Sequence, residues 1–281
     1  MADKRMSFGN FNEDFELPDA NIVILPVPFD RTSTWQKGAN KGPHAILEAS
    51  PNLEFYDIET GTEVYRRGIY TKKPIQADSS ETMVDSVFEA VQTVLRQEQF
   101  PVIIGGEHSV SLGAVRAVHN HNSHFSVLQL DAHSDLRDTY LGSGLNHACV
   151  MARIREICPI VQVGIRSMDI TEMDALDRER VFFAHEIHDR EDWMDRALDL
   201  LEDRVYVTID LDVFDPGIMP STGTPEPGGL GWYQVMRLLK RVADRKTVIG
   251  FDVVELCPGA NKAPDFMAAK LIYQFLSYIW R

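Results

Sequence analysis

The sequence predicts an α/β fold: a three-layer α-β-α arrangement with a mainly parallel central sheet. Three observations carry this. Short apolar, β-branched runs alternate with longer amphipathic stretches. Several of the runs are apolar at every position, as expected for strands covered on both faces. The chain has 281 residues, 44% hydrophobic and 25% charged, enough to bury a substantial core.

The predicted elements follow in order. A strand over Ile22–Pro26 (IVILP) comes first. Glu81–Gln97 reads as a helix, because Met83, Val87, Ala90, Val91 and Val94 repeat at helical spacing and form one apolar face. A strand over Pro101–Ile104 (PVII) precedes a helix over Ser109–His119. Phe125–Leu130 (FSVLQL) is the third strand and His147–Glu156 the third helix. Strands at Ile160–Ile165 and Val205–Ile209 flank a helix at Glu191–Leu201. A helix at Trp232–Ala243, a strand at Thr247–Val254 and a helix at Asp265–Trp280 complete the set. No repeat or low-complexity linker divides the chain, so residues 1–281 read as a single domain. The Pro/Gly-rich stretch from Asp215 to Gly231 directly follows a strand and reads as a site loop.

Charge narrows the function classes. Twenty-eight basic residues against 42 acidic ones give −14, with no basic patch. Nucleic acid and anionic membrane surfaces are therefore disfavoured, and a small cationic ligand suits the field better. Three cysteines, Cys149, Cys158 and Cys257, lack CxxC spacing, which argues against disulfides and against a thiolate zinc site. The opening MADKRMSFGNF has no apolar core of a signal peptide, and no run of about 18 apolar residues occurs; a cytoplasmic protein is expected.

In parallel sheets, ligands bind beyond the carboxyl ends of the strands. Three of the predicted strands end in metal-ligand chemistry. FSVLQL runs into Asp131-Ala132-His133-Ser134-Asp135. In an extended chain Asp131, His133 and Asp135 would share one face. VYVTI runs into Asp210-Leu211-Asp212, again two carboxylates on one face. PVII runs into Gly105-Gly106-Glu107-His108-Ser109, with His108 at a helix entrance. A single Asp at a strand end is ordinarily a turn former or helix cap. Four carboxylates and two imidazoles at one sheet edge are a different matter, because the carboxylates would repel one another without a cation. Nitrogen and oxygen donors without thiolate favour Mn²⁺, with Fe²⁺, Co²⁺ and Ni²⁺ also compatible. Six protein ligands exceed the needs of one open site and suit two ions about 3.5 Å apart.

The segments GGEHS (105–109), DAHSD (131–135), DLDVFDP (210–216) and DVVE (252–255) resemble those of the ureohydrolase (arginase/agmatinase) family in order and spacing. The resemblance covers the chain from about Ile22 onward and implies an arginase-like fold. It implies one Mn²⁺ on His108, Asp131, Asp135 and Asp210, and another on Asp131, His133, Asp210 and Asp212. It implies hydrolysis of a guanidino group to urea and an amine. Asp135 would orient and deprotonate the attacking water, Glu255 would pair with the guanidinium, and His147 would bind substrate and shuttle a proton to the leaving amine. Homotrimers or homohexamers are also implied.

Several features resemble the agmatinase-like branch: Thr32-Ser33-Thr34-Trp35 to Gly42-Pro43, the NHACVMARI stretch, and the chain length. Arg137 stands where arginases place an asparagine that holds the α-carboxylate. Asp169, in GIRSMD, matches a family acid near the substrate's α-amino end. Agmatine or a polyamine derivative is the expected substrate. The alternatives are arginine (an arginase), N1-aminopropylagmatine, guanidinobutyrate (a guanidinobutyrase) and free guanidine (a guanidine hydrolase). Outside this class, a dinuclear phosphoesterase would want further His ligands and a basic group for phosphate. A zinc deacetylase would need one metal. A non-catalytic regulator of ureohydrolase descent would be expected to have lost ligands, and none is missing. His119, His121 and His124 in HNHNSH read as an exposed connecting loop, His185 and His188 as structural, and Cys257 as packing.

Overall fold

The computed structural model describes residues 6–281; the first five residues of the MADKRMSFGNF opening lie outside the described residues. Among the described residues, eight strands form one sheet in which every adjacent pair is parallel. They are β1 (Ile22–Val27), β2 (Ile69–Thr71), β3 (Phe100–Gly105), β4 (Ser126–Leu130), β5 (Ile160–Ile165), β6 (Val181–Phe183), β7 (Arg204–Asp210) and β8 (Thr247–Val254). The spatial order is β2-β1-β3-β8-β7-β4-β5-β6.

The six expected strands are present. The two that sequence did not reveal, β2 and β6, have three residues each and occupy the two edges of the sheet. A three-residue run carries no readable period, and an edge strand need not be apolar on both faces.

Helices cover both faces. On one side α1 (Gly42–Ala49), α6 (Asp192–Asp199), α7 (Trp232–Arg245) and α8 (Ala263–Ile279) pack over one core. On the other, α2 (Ser80–Arg96), α3 (Ser111–His121) and α4 (Val150–Arg155) pack over a second. Alternation along β1 links the two: Ile22 and Ile24 enter the first core, and Val23, Leu25 and Val27 the second. All six β1 residues are buried, which explains why the run is continuously apolar. The apolar stripe expected on α2 is buried at Met83, Val87, Val91 and Val94, and Ser79 caps the helix by accepting from the Thr82 amide. Two short helices, α1 and α5 (Ala184–Ile187), were not anticipated; α1 opens on Gly-Pro, which disguises it. The helix α3 extends to His121, so His119 and His121 lie in its last turn rather than in the expected loop. These two and His124 are exposed, as are His185 and His188, which line no core.

The sheet order matters most for function. Four contiguous central strands, β3-β8-β7-β4, carry the four motifs at their carboxyl ends. Strands about 4.8 Å apart bring residues distant in sequence to one shared edge.

Candidate metal centre and substrate pocket

Each strand tip places its side chains by a local backbone device. Beyond β3 the chain passes so close to Phe29 that a Cβ on Gly106 would lie 2.0 Å from the Phe29 carbonyl oxygen. Only glycine fits there. The Glu107 amide then donates to that carbonyl at 2.7 Å, and His108 starts a 3-10 turn, His108–Val110, leading into α3.

Beyond β4 the chain does not stay extended as expected. The His133 amide folds back onto Asp131 Oδ1 at 2.6 Å, and Asp135 adopts the left-handed region with φ 54°. Asp135 therefore reaches the cluster through a turn, not through strand alternation.

The Asp210/Asp212 pair departs from its expectation in the same way. Asp210 ends β7 and caps a 3-10 turn, Leu211–Val213, by accepting from the Asp212 amide at 2.9 Å. Short polar side chains that bond their own backbone two residues on are typical turn formers. Asp212 Oδ1 accepts in turn from the Ala132 amide at 2.9 Å, which pins the two acidic loops together. Beyond β8, Glu255 is also left-handed, with φ 66°. Its amide donates to Gly106 O and its Oε1 accepts from the His108 amide, both at 2.7 Å.

The result is a convergent ligand set. Around His108 Nδ1 lie Asp131 Oδ2 at 3.0 Å, Asp135 Oδ2 at 3.0 Å and Asp210 Oδ2 at 3.6 Å. Around His133 Nδ1 lie Asp212 Oδ2 at 2.9 Å and Asp131 Oδ1 at 3.6 Å. Asp131 thus turns one oxygen toward each imidazole, and it is the residue common to two clusters able to hold an ion.

Two observations test whether these residues fit metal ions. His108 Nδ1 is buried and has no hydrogen-bond partner, although carboxylates crowd it. Its other nitrogen, Nε2, lies 2.8 Å from Thr208 Oγ1, and the Thr208 hydroxyl donates to Asp252 Oδ1 at 2.6 Å. A hydroxyl has one proton, so Thr208 must accept from His108 Nε2–H. In the neutral ring that assigns the lone pair to Nδ1, where the carboxylates point, as expected of a metal-ligating imidazole oriented from behind. Gln129 adds support by donating to Asp131 Oδ2 at 2.7 Å, and is itself held by Gln162 at 2.6 Å.

The electrostatics agree. Burial first, then Asp131, pushes the Asp135 carboxyl up to about 7. Burial, then Asp212, Asp131 and Glu255, holds Asp210 well above the usual carboxylate range. Burial, then Glu107, raises Glu255 as well. Burial alone would lower His133, but Asp212 and Asp131 raise it to about 12. The cluster has more negative charge than its side chains can neutralise, and cations would supply the balance. The donors are oxygen and imidazole nitrogen, so the site fits borderline-hard divalent ions.

A cavity of about 260 Å³ opens over this cluster, with Asp135, His147, Glu255, Arg137 and Asp169 among its walls. His147 begins a 3-10 turn, His147–Cys149, capped by Asn146. Asp169 caps Ile170–Glu172 and faces Arg137 Nη2 at 3.3 Å. Arg137 also stacks over Tyr140, 4.9 Å from the ring centroid. Buried Glu172 ties the metal loop to the rim: it accepts from the Leu136 amide at 2.9 Å, from Ser134 Oγ, and from the Asp169 amide at 2.8 Å. Gly223 and Thr224 place the 215–231 loop at the cavity wall, while Cys257 lies outside it and packs beside Gln36. Sequence reasoning gave no role to Thr208, Glu172, Thr32 or Glu107. Glu107, Asp252 and Thr32 lie inside segments that resemble the family, but a lone threonine in a strand, Thr208, carries no signal.

The sequence model of the arginase family matches residues 20–277. This chain belongs to the arginase family. The chain is 41% identical over 274 residues to the N(1)-aminopropylagmatine ureohydrolase of Synechocystis, spanning 92% of this chain and 89% of the relative. It is 36% identical to the agmatinase of Pyrococcus horikoshii, spanning 92% and 94%. Among solved structures, the agmatine ureohydrolase of Thermoplasma volcanium superimposes with a TM-score of 0.88 at 31% identity, covering 99% of this chain and 95% of that one. The three-layer fold and the family expected from the motifs both stand, and the protein is an arginase-family hydrolase. No helix among the described residues is long and apolar enough to cross a membrane.

Proposed function

We propose that this protein hydrolyses the guanidino group of an amine-tailed substrate, agmatine or N1-aminopropylagmatine, to urea and the corresponding amine, using two Mn²⁺. The observation that carries this reading is Asp131, whose two oxygens face two imidazoles at the floor of a cavity that Glu255 and His147 also line. His108, Asp131, Asp135 and Asp210 would hold one ion, and Asp131, His133, Asp210 and Asp212 the other. When bound, such ions lower the pKa of water and make a nucleophile available near neutral pH.

The rest is the work of side chains. Glu255 Oε1 is engaged by the His108 amide, but each carboxylate oxygen has two lone pairs. The group therefore still offers both oxygens to a planar guanidinium, which pairs with carboxylates through parallel charge-assisted bonds. Asp135, at the ion cluster and on the cavity wall, takes the proton of the attacking water. His147, across the cavity, hands a proton to the departing amine nitrogen. The carbon–nitrogen bond to the tail breaks and urea remains.

Tail preference follows from Arg137. A free guanidinium at the rim would attract a substrate carboxylate. This one faces Asp169 and Glu172, at 3.3 and 3.6 Å, and stacks on Tyr140. Two acids to one base leave the rim net negative, which suits a cationic tail. The similarity to agmatine-type ureohydrolases points the same way. A cytoplasmic homo-oligomer is part of the same proposal. Urea release by Mn²⁺-loaded protein across agmatine, N1-aminopropylagmatine, arginine, guanidinobutyrate and guanidine tests it. Turnover confined to arginine or guanidinobutyrate would refute the tail assignment.

A further inference from the structure

A second buried carboxylate outside the ligand set has a well-defined task. Glu107 is fully buried between the metal cluster and the segment after β1. Its Oε2 accepts from the Thr32 amide at 2.6 Å and the Ser33 amide at 3.1 Å. Its Oε1 accepts from Thr32 Oγ1 at 2.5 Å and Ser109 Oγ at 2.6 Å. The two amides are obligate donors, and an ionised carboxylate has no proton to give, so against ionised Glu107 the Thr32 hydroxyl proton is committed to Glu107.

Thr32 Oγ1 has two further contacts, both with one residue. The His147 amide donates to it at 3.0 Å, and His147 Nδ1 lies 3.0 Å away. With its proton given to Glu107, Thr32 Oγ1 can only accept. His147 Nδ1 must therefore carry the proton. A neutral imidazole with Nδ1–H has its lone pair on Nε2, at the opposite edge of the ring. His147 lines the cavity, and Tyr140 meets its ring edge-on with the centroids 6.0 Å apart.

We infer that Glu107 and Thr32 are positioning residues that lock His147 as the Nδ1–H tautomer with Nε2 presented to the substrate. This rests on the proposed role of His147 as proton donor to the leaving amine. It assigns the donated proton to Nε2: that nitrogen takes up the proton that Asp135 removes from the attacking water and passes it to the leaving amine, while Nδ1–H stays bonded to Thr32 throughout. The chain from Glu107 through Thr32 moves no proton itself. It keeps the ring in one tautomer and one orientation, and it stabilises the imidazolium that forms transiently.

The test uses full-length protein with three substitutions: Thr32→Val, Thr32→Ser and His147→Asn. Activity is measured with Mn²⁺, and the His147 ring nitrogens are observed by ¹⁵N NMR with diamagnetic Zn²⁺ in its place. The unaltered protein should show His147 as Nδ1–H. Thr32→Val, which keeps the shape and removes the hydroxyl, should give mixed tautomers and lower kcat by about tenfold or more with KM little changed. Thr32→Ser should restore both readouts. A Thr32→Val protein that keeps a pure Nδ1–H tautomer and a kcat within about twofold of the parent overturns the inference. Full activity in His147→Asn instead overturns the catalytic role of His147, whereas the NMR readout judges the Glu107–Thr32 lock by itself.

Discussion

His108 and His147 are held by the same device in opposite senses. In each, a buried carboxylate takes the proton of a threonine, and the threonine then accepts from an imidazole: Asp252–Thr208–His108 and Glu107–Thr32–His147. The first chain grips Nε2 and presents Nδ1; the second grips Nδ1 and presents Nε2. Their supports differ. Thr208 lies on central strand β7 and is fully buried, whereas Thr32 sits in the half-buried segment beyond β1. Their surroundings differ too. Asp131 and Asp135 outweigh burial at His108 and raise it well above the ordinary histidine value. Burial, reinforced by His133 and His108, holds His147 down to about 4. In the proposed mechanism, one fold would in this way keep a metal-ligating imidazole and a neutral proton carrier within one cavity. The carboxylate–threonine unit sets the tautomer, and the neighbours set the charge.

The largest effect should come from removing what both ions share. Asp131→Asn should abolish urea release, by about a thousandfold or more, and elemental analysis should find fewer than two Mn²⁺ per chain. Two bound ions in that variant would show that Asp131 does not bridge.

Next in size is the rigid support. Thr208→Val should leave Asp252 and His108 without their common partner and weaken metal binding about 10–100-fold, read by competition with a chelator. If Thr208→Val and Thr32→Val both spare metal affinity and differ only in kcat, the division between a ligand support and a proton-carrier support fails.

Metal removal should show the charge imbalance directly. A carboxyl raised to about 7 in the folded state, like Asp135, binds its proton more tightly than in the unfolded chain, where about 3.9 is usual. Its contribution to stability is present below the unfolded value and disappears as pH rises through about 7. His133, raised to about 12, acts in the same direction above its unfolded value of about 6.5. His147, depressed to about 4, has the opposite effect, but only below about 6.5. Between pH 6.5 and 8.5, chelated protein should therefore lose thermal stability as pH rises, and Mn²⁺ should restore more of it at pH 8.5 than at pH 6.5. A flat or rising melting temperature in the chelated protein contradicts this.

The smallest effect belongs to the rim. Asp169→Asn should raise KM for an amine-tailed substrate about 3–10-fold with kcat nearly unchanged, because it weakens ground-state binding far from the reacting carbon. A fall in kcat without a rise in KM would place Asp169 closer to the chemistry than the cavity does.

Much of the site was legible because its chemistry is written in contiguous motifs. Asp131, His133 and Asp135 lie within five residues, as do Asp210 and Asp212, and a strand leads into each group. Strand alternation alone does not account for their convergence. Alternation in an extended chain does not deliver Asp135 or Asp212: one arrives through a left-handed residue and the other through a 3-10 turn. Glu255 is left-handed as well. Non-glycine residues pay a steric cost in that region, and nothing in their identity announces it; the surrounding hydrogen bonds hold them there.

By itself the sequence determined the composition of the site and the layers of the fold. Continuously apolar strands must be covered on both faces, and an amphipathic helix such as α2 must turn its stripe inward, so local pattern and burial agree. Only the tertiary structure decided which strand ends stand together and which atom each imidazole presents. Placing β8 and β7 between β3 and β4 unites residues 108, 131–135, 210–212 and 255, and that order depends on how whole helices pack across the sheet. The tautomers depend on single hydroxyl protons, Thr208 across 100 residues from His108 and Thr32 across 115 from His147. Hydrogen-bond donors that far apart in the chain meet only after the sheet has formed.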